Sequence, residues 1–362
     1  MQEKIHISII LPIYNGEFFI KKCLSALLAQ KNINDCEIII VDDASTDNSI
    51  NHIKSYKLRN LKILSLESNS GPAAARNLGL KKSVGEYIYF CDVDDCIDEE
   101  ALTVLYEIAK DNNCEYVFSD FKKFENQDNQ RFGVYNYPND KIFNNEEILY
   151  AMKRELHDSS LGHLGLFGCN GRLIKRTLLI KNNIFFNENL RWMEDKTFGW
   201  NALSVVREAR YVRKQLYSYY FHPSIKTNVV DSLNRGSSLI YIKLILDQVQ
   251  KSLRTRLVPE LEITKLRQQG LIFFTIQALV SISNQIFLKK IDKIDGGKIR
   301  KKLINSIFKD EEIISSIKNY SCSKSESQWI PKAIALRSSL LLEIACNFRA
   351  RDIANERRRN SK

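Results

Sequence analysis

Short apolar runs alternate with longer amphipathic segments along the first 120 residues. The apolar runs have the length of strands, and we predict five of them: Ile7 to Ile13, Glu37 to Val41, Leu61 to Leu66, Tyr87 to Cys91 and Tyr116 to Ser119. The segments between them have helical spacing and predict four helices: Glu17 to Gln30, Asn48 to Ser55, Pro72 to Lys82 and Glu99 to Asn112. Nearly continuous apolar strands that alternate with helices are typical of an α/β fold, a mostly parallel sheet flanked by helices on both faces.

The pattern changes further along the chain. Residues 126 to 145 are rich in Asn, Asp, Gln and Lys, which favours an exposed connection, and a mixed region follows from Ile148 to about Tyr220. Beyond Thr227 the spacing is helical, most clearly in three segments: Leu239 to Val249, Leu261 to Leu288 and Ile334 to Phe348. We therefore predict an α/β domain over residues 1–227, divided into 1–125 and 126–227, and an α-helical C-terminal domain over 228–362.

Composition adds a charge asymmetry. The 362 residues are 44% apolar, enough for a sizeable core, so disorder is excluded as the dominant state. Met1 to Glu125 holds 14 basic and 20 acidic residues, whereas the rest holds 40 and 23. This distribution suggests an acidic working site in the first third and an anionic partner, either a membrane surface or a nucleic acid, for the basic remainder.

Targeting and redox signals are weak. The first apolar run, Ile7 to Leu11, is too short for the hydrophobic region of a signal peptide, and five polar residues interrupt Leu271 to Leu288, which favours an amphipathic helix over a membrane span. The eight cysteines form no CxxC pair, so zinc and redox motifs are not indicated. We expect a cytoplasmic protein with reduced thiols.

Polar residues collect directly after the predicted strands. In an open parallel sheet, ligands bind beyond the carboxyl ends of the strands, so these residues are the candidates for chemistry. They are Pro12, Tyr14 and Asn15 after the first strand, Asp42 and Asp43 after the second, Asn69 and Gly71 after the third, and Asp92, Asp94 and Asp95 after the fourth.

The densest of these groups is Asp92, Asp94 and Asp95, three carboxylates within four residues. Such crowding is repulsive unless a cation compensates it, and Mg²⁺ or Mn²⁺ prefers carboxylate oxygens. An EF-hand is excluded because Cys96 occupies the third ligand position. The acids that follow, Asp98 to Glu100, are better explained as the acidic first turn of a helix.

Taken together, these motifs resemble glycosyltransferase family 2, whose members have the GT-A fold and are inverting, nucleotide-sugar-dependent enzymes. The resemblance is carried by ISIILPIYNGEFFIKKCLSALLAQ, EIIIVDDASTDNS, NSGPAAARNLGL, GEYIYFCDVDD and MEDKTFGW, and it covers roughly Ile7 to Phe221. The resemblance implies a GT-A domain with a nucleotide-sugar half and an acceptor half. The last third resembles no family that we can name.

The resemblance implies roles on the donor side. Pro12 and Tyr14 would line the uracil pocket, Asp43 would accept a hydrogen bond from the uracil N3–H, and Asp42 would support the turn. Arg76 would lie near the nucleotide, and Asn15 and Asn69 are counted with the donor site as neighbouring strand-end residues. Asp92 and Asp94 match the family's Asp-X-Asp element, in which Asp94 would bind Mn²⁺ or Mg²⁺ directly and Asp92 would bind the ribose or the metal through water.

The resemblance also implies an acceptor side. Asp195 would be the general base that takes the proton from the acceptor hydroxyl, with Glu194 beside it contacting donor or acceptor. His222 could ligate the metal or bind a phosphate oxygen, although a lone histidine is often structural. Arg172, in GCNGRL, stands where relatives often carry a basic residue.

The predicted function is therefore transfer of a sugar from a UDP-sugar to a hydroxyl of a glycan or lipid-linked acceptor, as in the synthesis of bacterial surface polysaccharides. Two alternatives stay open: a sugar-nucleotide nucleotidyltransferase, although its Gly-rich loop is missing, and a non-catalytic basic binding module. For the basic C-terminal region we favour an anionic membrane surface over an ordinary solvated helix end, an oligomer interface or nucleic acid. It ends in NFRARDIANERRRNSK, with six basic residues and two acids.

Overall fold

The computed structural model describes residues 5–56, 60–126, 129–133, 137, 139–157, 166–190, 192–220, 238–322 and 326–359. The chain divides into two compact units. The first, here called the sheet unit, comprises Met1–Tyr150 and His163–Ile225, and the second, the helical unit, comprises Ala151–Gly162 and Lys226–Lys362. The sequence pattern places a single boundary at residue 227, whereas the helical unit also includes the earlier segment 151–162.

Ten strands of the described residues form one sheet in the sheet unit. They are β1 (Ile7–Ile13), β2 (Cys36–Asp42), β3 (Leu61–Ser65), β4 (Tyr87–Phe90), β5 (Cys96–Ile97), β6 (Tyr116–Asn126), β7 (Asn129–Gly133), β8 (Lys141–Phe143), β9 (Arg172–Lys175) and β10 (Ala209–Tyr220). Their order is β3-β2-β1-β4-β9-β6-β10-β5, with β7 paired to β6 and β8 to β10.

The first four strands of this order are parallel, as predicted. β1 pairs in parallel with both β2 and β4, and β2 with β3, so the carboxyl ends of these strands lie at one edge of the sheet. Beyond β4 the sheet is mixed, because β9 is inserted between β4 and β6 and runs antiparallel to both. This insertion brings the start of β9 beside the end of β4.

Seven α-helices are described between β1 and β10. They are α1 (Glu17–Leu28), α2 (Ser49–Lys54), α3 (Pro72–Lys82), α4 (Ala101–Asp111), α5 (Asn145–Arg154), α6 (Arg176–Lys181) and α7 (Glu194–Leu203). α1 buries Ile20, Leu24 and Leu27 against the sheet. α3 lies still closer to the sheet, since a Cβ on Gly79 would stand 2.5 Å from the Ile10 side chain. Small residues in α3 thus bring this helix close to the strand ends.

Six α-helices follow among the described residues of the helical unit. They are α8 (Leu239–Thr255), α9 (Glu260–Phe287), α10 (Lys293–Lys309), α11 (Glu311–Ser316), α12 (Trp329–Ala335) and α13 (Ser339–Arg359). Within the described residues, α9 alone is long and apolar enough to cross a membrane, and 67% of its most apolar 18-residue window is buried. That burial is typical of the central helix of a helical core.

Two predictions about elements are wrong. The polar stretch from 126 to 145 is not only a connection, because it contains β7 and β8, which pair with β6 and β10 by backbone hydrogen bonds. The helix predicted from Ile334 to Phe348 is two helices. The chain turns at Arg337, whose φ is +50°, and the Ser338 amide donates to Ala333 O at 3.1 Å, which ends α12.

Candidate active site

The loop after β1 is held by the loop after β2. The Asn15 backbone has a φ of +48°, and its side-chain oxygen accepts a hydrogen bond from the Thr46 amide at 2.8 Å. The Asn15 amide in turn donates to the Ser45 hydroxyl at 3.0 Å. Tyr14 lies beside this loop with 49% of its surface exposed, whereas Pro12 is buried within β1. The loop geometry therefore leaves the Tyr14 ring accessible for stacking on a planar ligand.

Asp42 and Asp43, at the end of β2, are both buried. The Asp43 carboxylate accepts hydrogen bonds from the Ser70 and Gly71 amides, at 2.6 and 2.8 Å, and Asp42 accepts one from the Ser45 amide at 3.0 Å. Gly71, whose φ is +89°, precedes the first residue of α3. Asp43 thus fixes the turn before α3, and Asn69 lies exposed just before that turn.

Arg76 connects two groups of predicted site residues. Its buried guanidinium donates to Asp92 Oδ1 at 2.7 Å through Nη2 and to Glu194 Oε1 at 3.2 Å through Nη1. It also lies 5.3 Å from the centre of the Phe186 ring. Burial lowers the pKa of Arg76, but Asp92 and Glu194 raise it well above its ordinary value, so it is a permanent cation between two carboxylates.

The second oxygen of Asp92 is bound by a residue that the sequence did not point to. The Asn170 side-chain amide donates to Asp92 Oδ2 at 2.7 Å. Asn170 is placed there because it forms a parallel bridge with Phe90 at the end of β4, and the next residue, Gly171, has a φ of +69°. A Cβ at Gly171 would stand 3.0 Å from the Tyr217 ring, so a side chain there would be crowded.

Asp92, Asp94 and Asp95 form an acidic cluster with one carboxylate oxygen from each within 4.8 Å of the others. Asp95 is buried and accepts hydrogen bonds from the Tyr217 hydroxyl at 2.6 Å and the Tyr220 amide at 3.0 Å. Burial raises the pKa of Asp95, and the charges of Asp92 and Asp94 raise it further. Asp95 therefore anchors the end of β10 beside the cluster.

Glu194 and Asp195 are the first two residues of α7. Burial raises the pKa of Glu194; Arg76 opposes this rise and Asp195 adds to it. Asp195 is partly exposed, and no described residue donates a hydrogen bond to its carboxylate. The helix is held in place by Gly199, where a Cβ would stand 2.1 Å from the Phe167 carbonyl oxygen. Asp195 is thus presented at the surface while Glu194 points to Arg76.

The predicted site residues lie in two sets. Arg76 contacts both Asp92 and Glu194 directly, and Asp94 and Asp195 are close to these carboxylates in the chain. Pro12, Tyr14, Asn15, Asp42, Asp43 and Asn69 lie at the ends of the neighbouring parallel strands. Arg172 is buried and donates to the Asn170 carbonyl oxygen at 2.5 Å, so it supports Asn170. His222 lies outside the described residues.

Sequence reasoning missed the supporting residues Asn170, Tyr217 and Asn77, and it named Asp95 without its supporting role. Asn77 holds the segment before α7, since its side chain exchanges hydrogen bonds with the Phe186 backbone at 2.8 and 3.0 Å and donates to Glu188 at 2.8 Å. The signals were weak: Asp95 stood inside an acidic run, Asn170 inside GCNGRL and Asn77 inside an apolar helix.

Comparison with known proteins gives a consistent result. The family model described as "Glycosyl transferase family 2" matches residues 8–204, more than half of the chain. The chain is 29% identical over 224 residues to the uncharacterized glycosyltransferase EpsJ of Bacillus subtilis, an alignment that covers 62% of this chain and 63% of EpsJ. It is 32% identical over 222 residues to the poly(ribitol-phosphate) beta-N-acetylglucosaminyltransferase TarP of Staphylococcus aureus, over 59% of this chain and 62% of TarP.

A second staphylococcal relative links sequence and structure. TarS, also a poly(ribitol-phosphate) beta-N-acetylglucosaminyltransferase of Staphylococcus aureus, is 27% identical over 59% of this chain and 35% of its own length. The chain therefore spans less than two thirds of each of these three relatives. The crystal structure of TarS residues 1–349 with UDP-GlcNAc superposes with a TM-score of 0.67 at 18% identity, over 96% of this chain and 92% of that chain. This likeness shows that the fold is shared.

Proposed function

This chain belongs to glycosyltransferase family 2, has its GT-A fold and is thus a glycosyltransferase, and we propose a specific reaction for it. In the proposed reaction a sugar is transferred, with inversion, from a UDP-sugar to a hydroxyl of a glycan or lipid-linked acceptor. The observation that carries this proposal is the contact of Arg76 with both Asp92 and Glu194. In this contact one strand-end carboxylate, Asp92, and one carboxylate of α7, Glu194, share a single cation. A nucleotidyltransferase or a binding module would not require that arrangement.

For the donor, we propose that the Tyr14 ring stacks on uracil above the buried Pro12. Asp42 and Asp43 shape this pocket, and Asp43 fixes the turn before α3 with both of its carboxylate oxygens. A further hydrogen bond from the uracil N3–H would be accepted by a remaining lone pair of the Asp43 carboxylate. Asn15 and Asn69 belong to the same strand-end loops. The crystal structures of TarS with UDP and with UDP-GlcNAc make UDP the first nucleotide to test.

The acidic cluster fits a hard divalent cation, because it offers carboxylate oxygens within 4.8 Å of one another. Asp92 binds Arg76 and Asn170 with its two oxygens, and Asp95 binds Tyr217 and Tyr220. From the match to the family's Asp-X-Asp element we assign Asp94 as the direct ligand, with Asp92 binding through water or contacting the ribose. When bound, Mn²⁺ or Mg²⁺ would neutralise the charge that develops on the departing diphosphate. His222 stays a sequence-based candidate for the same cation.

Asp195 is the proposed general base. Its carboxylate takes the proton of the acceptor hydroxyl as the oxygen attacks C1 of the sugar, the bond between C1 and the diphosphate oxygen breaks, and UDP leaves. Glu194 orients this end of α7 through its hydrogen bond with Arg76. The poly(ribitol-phosphate) transferases among the relatives suggest a bacterial surface polymer as acceptor, with UDP-GlcNAc and UDP-glucose as the first donors to test.

The proposal is tested with purified protein and a panel of UDP-sugars, by thermal stabilisation and by release of UDP, each with divalent cation and with excess chelator. We expect one or more UDP-sugars to stabilise the protein in the presence of Mn²⁺ or Mg²⁺, and the chelator to abolish release of UDP. Asp195→Asn should lower turnover by about 100-fold or more with little change in donor affinity. The control, Asp111→Asn, removes an exposed carboxylate at the end of α4 and should leave turnover unchanged.

Three results would count against the proposal. Full activity in excess chelator would remove the metal from the mechanism. Near-normal turnover by Asp195→Asn would move the base to another group. Formation of a nucleotide-sugar from a sugar phosphate and a nucleoside triphosphate would favour the nucleotidyltransferase alternative.

A further inference from the structure

The helical unit exposes a row of large apolar side chains on α12, α13 and the turn between them. This row, here called the apolar face, consists of Trp329, Leu336, Leu340, Leu341, Ile344 and Phe348. Each of these residues is between 43% and 71% exposed. All except Leu340 line one groove of about 860 Å³. Exposed apolar side chains are common singly, but a contiguous set marks an interaction surface.

The apolar face is not needed for the core of the helical unit. α13 buries a separate stripe, formed by Leu342, Cys346, Ala350 and Ala354, and packs against α9 and α12. These four positions recur every four residues, which is the spacing of one helix face. The other side of a solvated helix would carry polar residues, whereas here Leu341, Ile344 and Phe348 stand exposed.

Cations border the apolar face. Lys332 Nζ lies 5.1 Å from the centre of the Trp329 ring, Arg337 is exposed at the turn, and Arg351 is exposed on α13 one turn beyond Phe348. The groove also contains acids, of which Glu356 lies 3.3 Å from Arg349 and Glu326 accepts a hydrogen bond from the Tyr320 hydroxyl. Exposed aromatic and aliphatic side chains next to Lys and Arg are typical of a helix that lies in a membrane interface.

The charge of this part of the chain selects among the possible occupants. Residues 226–362 contain 26 Lys and Arg but 13 Asp and Glu, a net charge of +13. A second copy would bring an equal positive charge to the same face. A soluble anionic polymer would neutralise the cations but would leave the six apolar side chains in water. A bilayer with anionic lipid satisfies both features.

We propose that the apolar face docks on a membrane that contains anionic lipid. Trp329, Leu340 and Phe348 enter the boundary between headgroups and acyl chains, and Lys332, Arg337 and Arg351 contact lipid phosphates. This surface is separate from the residues proposed for sugar transfer, so its test needs no donor and does not depend on the proposed function.

The test uses the full chain with vesicles of phosphatidylcholine, alone or mixed with phosphatidylglycerol. We expect co-sedimentation with the anionic vesicles, decreasing as salt rises. Brominated acyl chains should quench the fluorescence of the bound protein, and Trp329→Phe should remove most of that quenching. Of the two other tryptophans, Trp200 is buried and Trp192 belongs to the sheet unit.

Matched substitutions separate insertion from simple charge attraction. Leu340→Ser with Phe348→Ser should weaken vesicle binding by about tenfold or more, because both side chains leave water on docking. The control, Leu261→Ser with Ile294→Ser, alters two equally exposed apolar residues of the same unit and should bind normally. Arg337→Glu with Arg351→Glu should weaken binding more than Lys298→Glu with Lys301→Glu, which reverses the same number of charges at two exposed residues of α10 that do not line the groove.

Three outcomes would overturn the proposal. One is failure of the wild-type protein to bind anionic vesicles at low salt. Another is binding that survives Leu340→Ser with Phe348→Ser. The third is self-association in sedimentation velocity, abolished by the same substitutions, without vesicle binding, which would make the face an interface between copies. If a variant does not fold, quenching of the wild-type protein by brominated acyl chains still tests insertion: quenching supports it, and binding without quenching contradicts it.

Discussion

At the scale of single residues, Arg76 is the side chain on which the site depends most. Its buried guanidinium is the shared partner of Asp92 and Glu194, residues 16 and 118 positions away in the chain. Removing a partner from a buried ion pair is strongly destabilising because the remaining charge is left without compensation. Replacing Arg76 by an uncharged residue would also release the Asp92 and Glu194 carboxylates from their positions.

Arg76→Met is therefore expected to lower the free energy of unfolding by about 3 kcal/mol, the lower end of the range for a broken buried ion pair, and to lower turnover by at least about tenfold. Arg76→Lys keeps the charge but not the two-armed geometry, so its turnover should fall between those of Arg76→Met and the wild type. Urea denaturation and UDP release measure the two effects. Lys82→Met, an exposed change on the same helix, is the control. Loss of stability with unchanged turnover of the folded enzyme would make Arg76 a purely structural residue.

The sequence predicted the location of those site residues whose positions depend only on the order of the parallel strands. Asp42 ends β2 and Asp92 follows β4, the two parallel strands on either side of β1, and their common edge follows from the β-α-β pattern. Asn170 could not be found in this way, because its contact with Asp92 depends on an antiparallel insertion, β9, that periodicity did not reveal. Asp95 was visible, but its burial depends on Tyr217, which is 122 residues away.

At the scale of elements, α7 and the segment before β9 meet through backbone rather than side chains. A Cβ at Gly199 would stand 2.1 Å from the Phe167 carbonyl oxygen, a distance that real Cβ atoms do not show. Gly297, in α10, has nothing within 4 Å of the same position. The two glycines therefore form a matched pair for testing how closely α7 must approach.

Gly199→Ala is expected to destabilise the protein and to lower turnover, because α7 must shift and carries Glu194 and Asp195 with it. Gly297→Ala should instead raise the free energy of unfolding by about 1 kcal/mol, the helix-propensity difference between the two residues, with turnover unchanged. Thermal unfolding and UDP release measure both. Equal behaviour of the two variants would show that the close approach of α7 is not required.

Element prediction failed where pairing, not composition, decides the structure. β7 and β8 lie in a polar stretch that reads as a connection, yet their backbones complete hydrogen bonds at β6 and β10. Conversely, the apolar spacing from Ile334 to Phe348 continues across the turn at Arg337, so periodicity alone did not reveal the break. The α/β region was predictable because short, nearly continuous apolar runs alternate with helical segments, and the C-terminal region was predictable because its apolar spacing is helical throughout.

At the scale of the whole molecule, acidic and basic residues are concentrated in different regions of the chain, and we propose a different function for each region. The acidic first third contributes the strand-end carboxylates, and the basic helical unit contributes the surface that we propose for anionic lipid. If the acceptor is held in the membrane, docking raises the local concentration of enzyme at the acceptor without touching the chemistry. The two proposals together thus predict that transfer to a membrane-held acceptor can be impaired while UDP release from free donor is preserved.

Leu340→Ser with Phe348→Ser should keep the wild-type rate of UDP release from free donor, but should lose most transfer of labelled sugar into membrane vesicles that carry acceptor. Asp195→Asn should lose both activities, since it acts on the chemical step. The loss of transfer should take the form of a higher apparent KM for the vesicles, because docking affects encounter rather than turnover. Raising the salt concentration should reproduce this effect in the wild-type protein. Unchanged transfer into vesicles by the doubly substituted enzyme would separate catalysis from membrane docking altogether.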